Sequence, residues 1–245
     1  MTPILDPRFL RQTQFDSAAP AGTAVVVHRF EREGELQLLV HRGKTPLRRA
    51  RINVRPEAGD DRPAASAPDL GGPRAAPPAA AALDLATLLR PGVQAPDPTD
   101  LARGGYLSIT SSEPLPEHHV VVTAGDEVVL DTRRLGPQSV FAVTLVRPGR
   151  YRLANAVTGH EAAVVVTYPE VGRARYRPPD PVEIECGAKG FGATSFKISP
   201  AQGIIFRLAT ESRIQLELVE PDDGPAARRP RPKASFRRPA PPPAS

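Results

Sequence analysis

Residues 147–166, RPGRYRLANAVTGHEAAVVV, decide the fold class of this chain. A Pro-Gly turn precedes a strand that begins at Tyr151, and a second turn falls at Thr158 and Gly159. The run 162–166 that follows is apolar and rich in β-branched residues, which is typical of a core strand. The stretch therefore predicts a β-hairpin that packs into a hydrophobic core.

The same pattern continues on both sides of the hairpin. Between residues 105 and 168, short strands alternate with turns that contain Gly or Pro: YLSIT, HHVVVTA, EVVLDTR, SVFAVTLV, RYRLANA and EAAVVVTY. Similar β patterns occur over 23–55 and 181–220. Helical periodicity is absent from the main body, so we predict an all-β protein built from antiparallel sandwich units.

Two segments resemble the cupredoxin family. The hairpin has that family's closing-hairpin frame, and FKISPAQGIIFRLATES at 196–212 resembles the strand that precedes a copper-binding His. Copper-binding cupredoxins carry Cys, His and Met ligands in the hairpin, whereas here Asn155 lies near the thiolate position, His160 follows the turn glycine and Met1 is the only Met. The resemblance implies a degenerate, duplicated cupredoxin-like sandwich without the copper-ligand set, with an immunoglobulin-like sandwich as the alternative.

Composition divides the rest of the chain. Pro, Ala and Gly dominate 56–82, and such a segment buries too little apolar surface to offset the entropy of ordering it. Asp84 followed by an apolar run predicts a short helix that ends before Pro91. The predicted units are an N-terminal arm (1–22), a small β unit (23–55), a Pro/Ala-rich linker with the short helix (56–104), a cupredoxin-like β-sandwich (105–168), a second β unit (181–220) and a disordered basic tail (221–245).

The positive charge of the chain belongs to its tail. The net charge is +5, but the segment after Asp223 carries six cations and no acidic residue, which leaves −1 for residues 1–223. We predict that this tail binds an anionic polymer or a protein partner, because exposed cations on a Pro-rich, extended chain release counterions from a polyanion. The predicted binding residues are Arg228, Arg229, Arg231, Lys233, Phe236, Arg237 and Arg238.

The candidate metal ligands are few. His118, His119, His160 and Cys186 are the only soft ligands in the sandwich regions, and neighbouring strand residues point to opposite faces, so His118 and His119 cannot both reach one ion. We expect no cofactor. The alternative is an atypical copper site built from His118, His160 and Cys186.

Motifs for catalysis are absent. There is no Gly-x-Ser-x-Gly elbow, and Gly187, Gly190 and Gly192 precede a strand where a phosphate-binding loop would precede a helix. We predict that these glycines form a flexible turn and that the protein is not an enzyme.

The expected function is that of a non-catalytic structural or adaptor protein. Val- and Ile-rich edge strands favour self-association or a larger assembly. The sequence has no run of 18 apolar residues and no apparent signal peptide, which favours a cytoplasmic protein without a transmembrane segment. The alternatives are a copper-binding or electron-transfer protein and a sequence-independent nucleic-acid-binding protein.

Overall fold

A computed structural model describes residues 11–56, 79–93, 99–167 and 178–222. In this part of the chain it contains sixteen strands and one short helix. The first eight strands and the helix are β1 (Gln14–Asp16), β2 (Ala24–Arg29), β3 (Gly34–Arg42), β4 (Thr45–Arg55), β5 (Ala80–Asp84), α1 (Leu85–Leu89), β6 (Thr99–Ala102), β7 (Tyr106–Thr110) and β8 (His118–Ala124). The other eight are β9 (Glu127–Asp131), β10 (Ser139–Thr144), β11 (Gly149–Asn155), β12 (Glu161–Val166), β13 (Val182–Cys186), β14 (Ser195–Ile198), β15 (Gly203–Leu208) and β16 (Ile214–Pro221).

The strands form three open sheets, which confirms the all-β prediction. Their orders are β1-β16-β11-β12-β14, β13-β15-β10-β2-β7-β5 and β6-β4-β3-β8-β9. The prediction of purely antiparallel sheets was wrong, because the pairs β4–β6, β5–β7, β12–β14 and β13–β15 are parallel. Each parallel pair places a strand at a sheet edge through a crossover connection, and alternation of apolar residues carries no information about strand direction.

The predicted hairpin is confirmed as β11 and β12. Tyr151 lies opposite Val164 and Leu153 lies opposite Ala162 in an antiparallel ladder. Tyr151 is fully buried, and its hydroxyl donates a hydrogen bond to the Arg147 carbonyl at 2.9 Å. Burial raises the pKa of this phenol to about 12, so it remains a hydrogen-bond donor.

The segment predicted as a linker contains regular structure. The helix expected after Asp84 is α1, and the Asp84 carboxylate accepts hydrogen bonds from the Ala86 amide and the Thr87 hydroxyl at 3.1 and 2.9 Å. Strands β5 and β6 also lie in this segment, and β1 lies in the predicted N-terminal arm. The Ala-rich β5 has little strand propensity of its own, and its parallel pairing with β7 sets its conformation.

The chain is an internal duplication. Five pairings among β2–β8 recur among β10–β16: β2–β7 as β10–β15, β3–β4 as β11–β12, β3–β8 as β11–β16, and the parallel pairs β4–β6 and β5–β7 as β12–β14 and β13–β15. Leu38 lies between Ala50 and Val122, whereas Leu153, 115 positions later, lies between Ala162 and Leu216. The repeats therefore run from β1 to β8 and from β9 to β16. The sequence prediction had located the two related segments within 105–168 and 181–220.

Hydrogen bonds repeat along with the strands. Gly104 donates its amide to the Phe30 carbonyl at 2.7 Å, and Ala201 donates to Leu145 at 2.8 Å. Gly104 and Ala201 both have positive φ, at 76° and 59°. The same loop hydrogen bond and backbone conformation at equivalent positions indicate that the two repeats share one backbone fold.

The repeats are joined by a central seam and by exchanged first strands. Strands β2 and β10 pair antiparallel in the middle of the six-stranded sheet, with Val26 opposite Phe141. Strand β1 pairs with β16 at the end of the second repeat, and β9 pairs with β8 at the end of the first. Each five-stranded sheet therefore contains one strand from the other repeat. The predicted units 23–55, 105–168 and 181–220 all contribute strands to the six-stranded sheet. One continuous hydrophobic core spans both repeats.

Equivalent glycines provide a matched pair of substitutions. Gly34 and Gly149 begin β3 and β11 with φ of 126° and 140°. A Cβ at Gly34 meets nothing within 4 Å, whereas one at Gly149 lies 2.5 Å from the Glu220 carbonyl oxygen and 2.7 Å from Leu218 Cδ1. We expect Gly34→Ala to cost about 1 kcal/mol from backbone strain, and Gly149→Ala to cost about 3 kcal/mol or more from strain and overlap together. Urea unfolding measures both, and equal losses would contradict the assigned β11–β16 contact.

The seam contains a buried histidine that makes stability depend on pH. His28 Nδ1 lies 2.8 Å from the Ser139 hydroxyl, the imidazole contacts the Phe30 ring edge-on, and burial lowers the pKa of His28 from 6.5 to about 4. The unfolded chain binds this proton more readily, so stability is full above pH 6.5 and falls between pH 6.5 and 4, by about 3 kcal/mol in all. His28→Gln should flatten this part of the profile in denaturant titrations. A variant that keeps the wild-type slope would show that another group is responsible.

Candidate functional site

Two crevices lie where the exchanged strands cross between the repeats. The first crevice has a volume of about 820 Å³. It is formed by residues 12–16, 18, 19 and 21, the turn at 43–44, the loop 114–119, Arg133, Arg213 and residues 215–217 of β16. The second crevice has a volume of about 480 Å³. Its lining residues are Asp131, Arg133, Arg134, Ala156, Val157 and Arg213.

The two crevices are equivalent positions of the duplicated frame. Ser17 donates its amide to Ile214 and its hydroxyl oxygen accepts the Ile214 amide, at 2.9 and 3.0 Å. Thr132 makes the same two bonds with Val120, at 3.0 and 2.9 Å. Counting from these anchors, the corresponding residues are Asp16 and Asp131, Ala18 and Arg133, Ala19 and Arg134, and His119 and Arg213.

Asp16 holds the two repeats together at the first crevice. Its carboxylate accepts hydrogen bonds from Arg213 Nε and Nη2 at 3.1 and 2.7 Å, from the Gln215 amide at 2.9 Å and from the Ala18 backbone at 2.9 Å. Burial alone would raise the pKa of Asp16, but the bonds from Arg213, Gln215 and Ala18 and the Arg213 charge outweigh it, so the pKa is lowered. The Asp16 carboxylate is therefore ionised, and its oxygens already accept four hydrogen bonds.

Asp131 keeps the turn of Asp16 but takes a local partner. It accepts the Arg133 amide at 2.9 Å and binds the Arg133 guanidinium at 2.7–3.1 Å. Burial opposes ionisation, yet these bonds and the nearby charges lower the pKa of Asp131 overall. In the first crevice the corresponding Ala18 is buried, and the guanidinium on Asp16 comes from Arg213 of the other repeat.

His119 lies buried on the first-crevice side. Its ring stacks on His41 with centroids 5.0 Å apart. Burial lowers the pKa of His119, and the positive charge of Arg133 lowers it further against the opposing effect of Asp131. The imidazole is neutral at pH 7 and serves as a wall of the crevice.

The rim of the first crevice carries exposed carboxylates. Glu117 has a φ of 64° and accepts the Gly43 amide through its backbone carbonyl at 2.9 Å. Its side chain is 73% exposed, with Arg42 at 3.9 Å as a loose partner. Glu217, on β16, accepts a hydrogen bond from the Gln14 side chain at 3.3 Å. Both carboxylates therefore retain capacity for a further cation.

The alternative copper ligands are not brought together. His118 Nδ1 lies 2.8 Å from the Pro116 carbonyl, in a different sheet from the hairpin that carries His160. Cys186 is buried, and burial together with the Glu185 charge raises the pKa of its thiol to about 12. Over the described ranges, no group of three or more His, Cys, Asp or Glu residues is arranged to hold a metal ion.

The glycine segment forms a turn, as predicted. Gly187 and Gly190 exchange two backbone hydrogen bonds of 3.0 Å, and Gly190 and Gly192 have positive φ. A Cβ at Gly190 would lie 3.2 Å from the His160 ring, so this turn packs against the β11–β12 hairpin.

Sequence reasoning named His118 and His119 but missed the other crevice residues, and it emphasised a segment outside the described structure. Arg228, Arg229, Arg231, Lys233, Phe236, Arg237 and Arg238 all lie outside the described residues. The available signal for the crevices was the repeated pattern Phe15-Asp16-Ser17 and Leu130-Asp131-Thr132, in which an apolar residue, Asp and a hydroxyl follow one another. In the described part of the chain, no helix is both long and apolar enough to cross a membrane.

No protein-family model, curated protein or solved structure matches this chain. The resemblance to cupredoxins therefore stays a prediction. Residues of one repeat can, however, be compared with the equivalent residues of the other.

Asp16→Asn and Asp131→Asn form a matched pair that tests the inter-repeat contact. Asn can form the same turn as Asp at both positions, but only Asp16→Asn weakens a bond between the repeats. We therefore expect the free energy of unfolding at pH 7 to fall by about 2 kcal/mol for Asp16→Asn and by less than about 1 kcal/mol for Asp131→Asn. Because the pKa of Asp16 is lowered, its contribution is present above pH 4 and disappears as the pH falls through the folded-state value. Urea titrations at pH 7 and pH 3 measure this, and a deficit unchanged at pH 3 would count against the ion pair.

Proposed function

We propose that this protein is a non-catalytic adaptor in which the duplicated β body is a scaffold and the cationic C-terminal segment binds an anionic partner. The observation that carries the proposal is the separation of charge. Residues 1–223 sum to −1, while the segment from Arg228 to Arg238 has six cations and no carboxylate. Cations without nearby carboxylates in the chain remain available to an external polyanion.

The ion pairs of the body support this division. Arg213 pairs with Asp16, Arg133 with Asp131 and Arg207 with Glu183, each with a contact of 2.7 Å. An arginine already bound to a carboxylate contributes little to the attraction of a second anion. These three arginines are therefore poor sites for a further anion.

The chemistry of the body also supports a non-catalytic role. The one thiol, Cys186, is buried with a raised pKa and is a poor nucleophile. His28 and His119 are buried with lowered pKa values, and Asp16 and Asp131 are ionised and paired. Neither crevice pairs a free nucleophile with an available general base.

The length and composition of the segment indicate how it would bind. Six phosphate or sulfate contacts give an affinity that falls steeply with salt and does not depend on sequence. Phe236 lies among the arginines and could stack on an exposed base, which would favour single-stranded nucleic acid over other polyanions. Nucleic-acid binding is thus one form of the same proposal.

The proposal predicts salt-dependent binding that requires the C-terminal segment. We expect the full chain to bind a labelled single-stranded DNA 30-mer, with a slope of log affinity against log salt of about −4 for six contacts. Fluorescence anisotropy measures this for the full chain, the chain ending at Gly224, and a full-length variant with all six cations changed to Gln.

Heparin and Phe236→Ala separate the polyanion classes. A variant that loses affinity for DNA but not for heparin indicates base stacking, and equal losses indicate charge alone. Unchanged DNA affinity in the chain ending at Gly224 would refute the role of the segment.

A further inference from the structure

We propose that the first crevice is an intramolecular docking site for residues 225–240, PAARRPRPKASFRRPA, of the same chain. This goes beyond the proposed function, because it assigns the segment a second, competing partner on the body. It rests on the proposed function only for the availability of the segment's cations. The site is defined by Ala18, Ala19, Glu117, Glu217 and the loop 114–116.

The second crevice shows which side chains this frame accepts. There the dipeptide Arg133-Arg134 follows the turn aspartate, and the Arg133 guanidinium lies along the Asp131 carboxylate. In the first crevice the same positions are Ala18 and Ala19, and the volume is larger, about 820 against 480 Å³. Ala18 is buried, and Arg213 takes the place on Asp16 that Arg133 takes on Asp131, so the part of the first crevice that remains accessible is at Ala19 and the rim.

The C-terminal segment contains an Arg-Arg dipeptide twice. Arg228-Arg229 and Arg237-Arg238 match Arg133-Arg134 in composition. Asp16 is fully occupied by Arg213 and Gln215, so docked guanidiniums would bind the rim carboxylates Glu117 and Glu217. Pro114, Leu115 and Pro116 form an apolar wall against which arginine stems and Phe236 can pack.

The three cations that line the crevice limit where docking occurs. Lys44 lies in the turn beside Glu117, whereas Arg133 and Arg213 are already paired with Asp131 and Asp16. The free negative charge therefore sits at Glu217 and, less strongly, at Glu117. The first arginine pair is expected near Glu217.

The chain is long enough to make this contact. Strand β16 leaves the crevice at Glu217 and continues to Pro221, and the Asp222 amide is held by the Pro148 carbonyl at 3.1 Å. Returning from Asp222 to Glu217 covers about 17 Å along a strand, and the six residues to Arg228 span roughly 20 Å when extended. The nine residues from Arg228 to Arg237 would span about 28 Å if extended as polyproline, so the second arginine pair can reach a carboxylate other than Glu217.

Disulfide trapping in the full chain tests the contact directly. Cys186 is the only cysteine and is buried, so two introduced thiols report on each other. Ser235→Cys is combined either with Ala19→Cys in the crevice or with Ser195→Cys on β14, the opposite and exposed edge of the same sheet. In a glutathione redox buffer we expect about five-fold or more intramolecular disulfide for the crevice pair, because docking raises the effective concentration of the two thiols.

Charge reversal at the rim carboxylates provides a second test of the contact. Adding Glu117→Lys and Glu217→Lys to the crevice pair should reduce the disulfide to the Ser195 level. Glu35→Lys is the matched control, since Glu35 is similarly exposed and has one loose partner, Arg51, at 3.7 Å. Heparin in excess should release the segment and lower the crevice disulfide in the same way.

The outcomes distinguish docking from polyanion binding. Equal trapping at residues 19 and 195, trapping unaffected by the rim reversals, or disulfides only between chains would each overturn the docking proposal. Normal DNA or heparin affinity alongside such a result would leave the proposed function intact. Loss of polyanion binding with persistent crevice trapping would refute the proposed function and retain the docking site.

Discussion

The exchange of first strands between the two repeats is the constraint on which the rest of the structure depends. Ser17 binds Ile214 through its backbone and hydroxyl, and Thr132 binds Val120 in the same manner. Each repeat thereby supplies an edge strand to a sheet that it does not otherwise build. The interface between repeats is consequently made of hydrogen-bonded ladders as well as side-chain packing, and the two repeats share one hydrophobic core.

Duplication preserved the backbone frame while the side chains at the crossings diverged. Asp16 and Asp131 keep the same turn, but one binds an arginine of the other repeat and the other binds an arginine two residues away. Around them, the first crevice has Ala18 and Ala19 where its counterpart has Arg133 and Arg134. A function specific to one repeat can arise at such positions, because the shared backbone fold requires neither the two alanines nor the two arginines.

Part of the candidate site could be anticipated from the sequence. The apolar–Asp–hydroxyl pattern occurs at Phe15 and again at Leu130, and both aspartates form the turn that such a residue favours. Nothing in the sequence indicates that Arg213, 197 residues from Asp16, supplies its partner. The copper ligands are separated for the same reason: pairings that their own neighbours do not specify place His118 in a different sheet from the hairpin that carries His160.

The sequence by itself determined the local elements: the β11–β12 hairpin, the strands of the three predicted β units and the short helix begun by Asp84. These follow from period-two apolar patterning, turn residues and a capping carboxylate, all of which act over a few residues. Only the tertiary structure decided that β5 and β6 are strands, that four edge pairs are parallel, and that β1 completes the sheet of the other repeat. Those outcomes depend on which distant strand offers free backbone groups and an apolar face, and this choice is settled by packing of the whole chain.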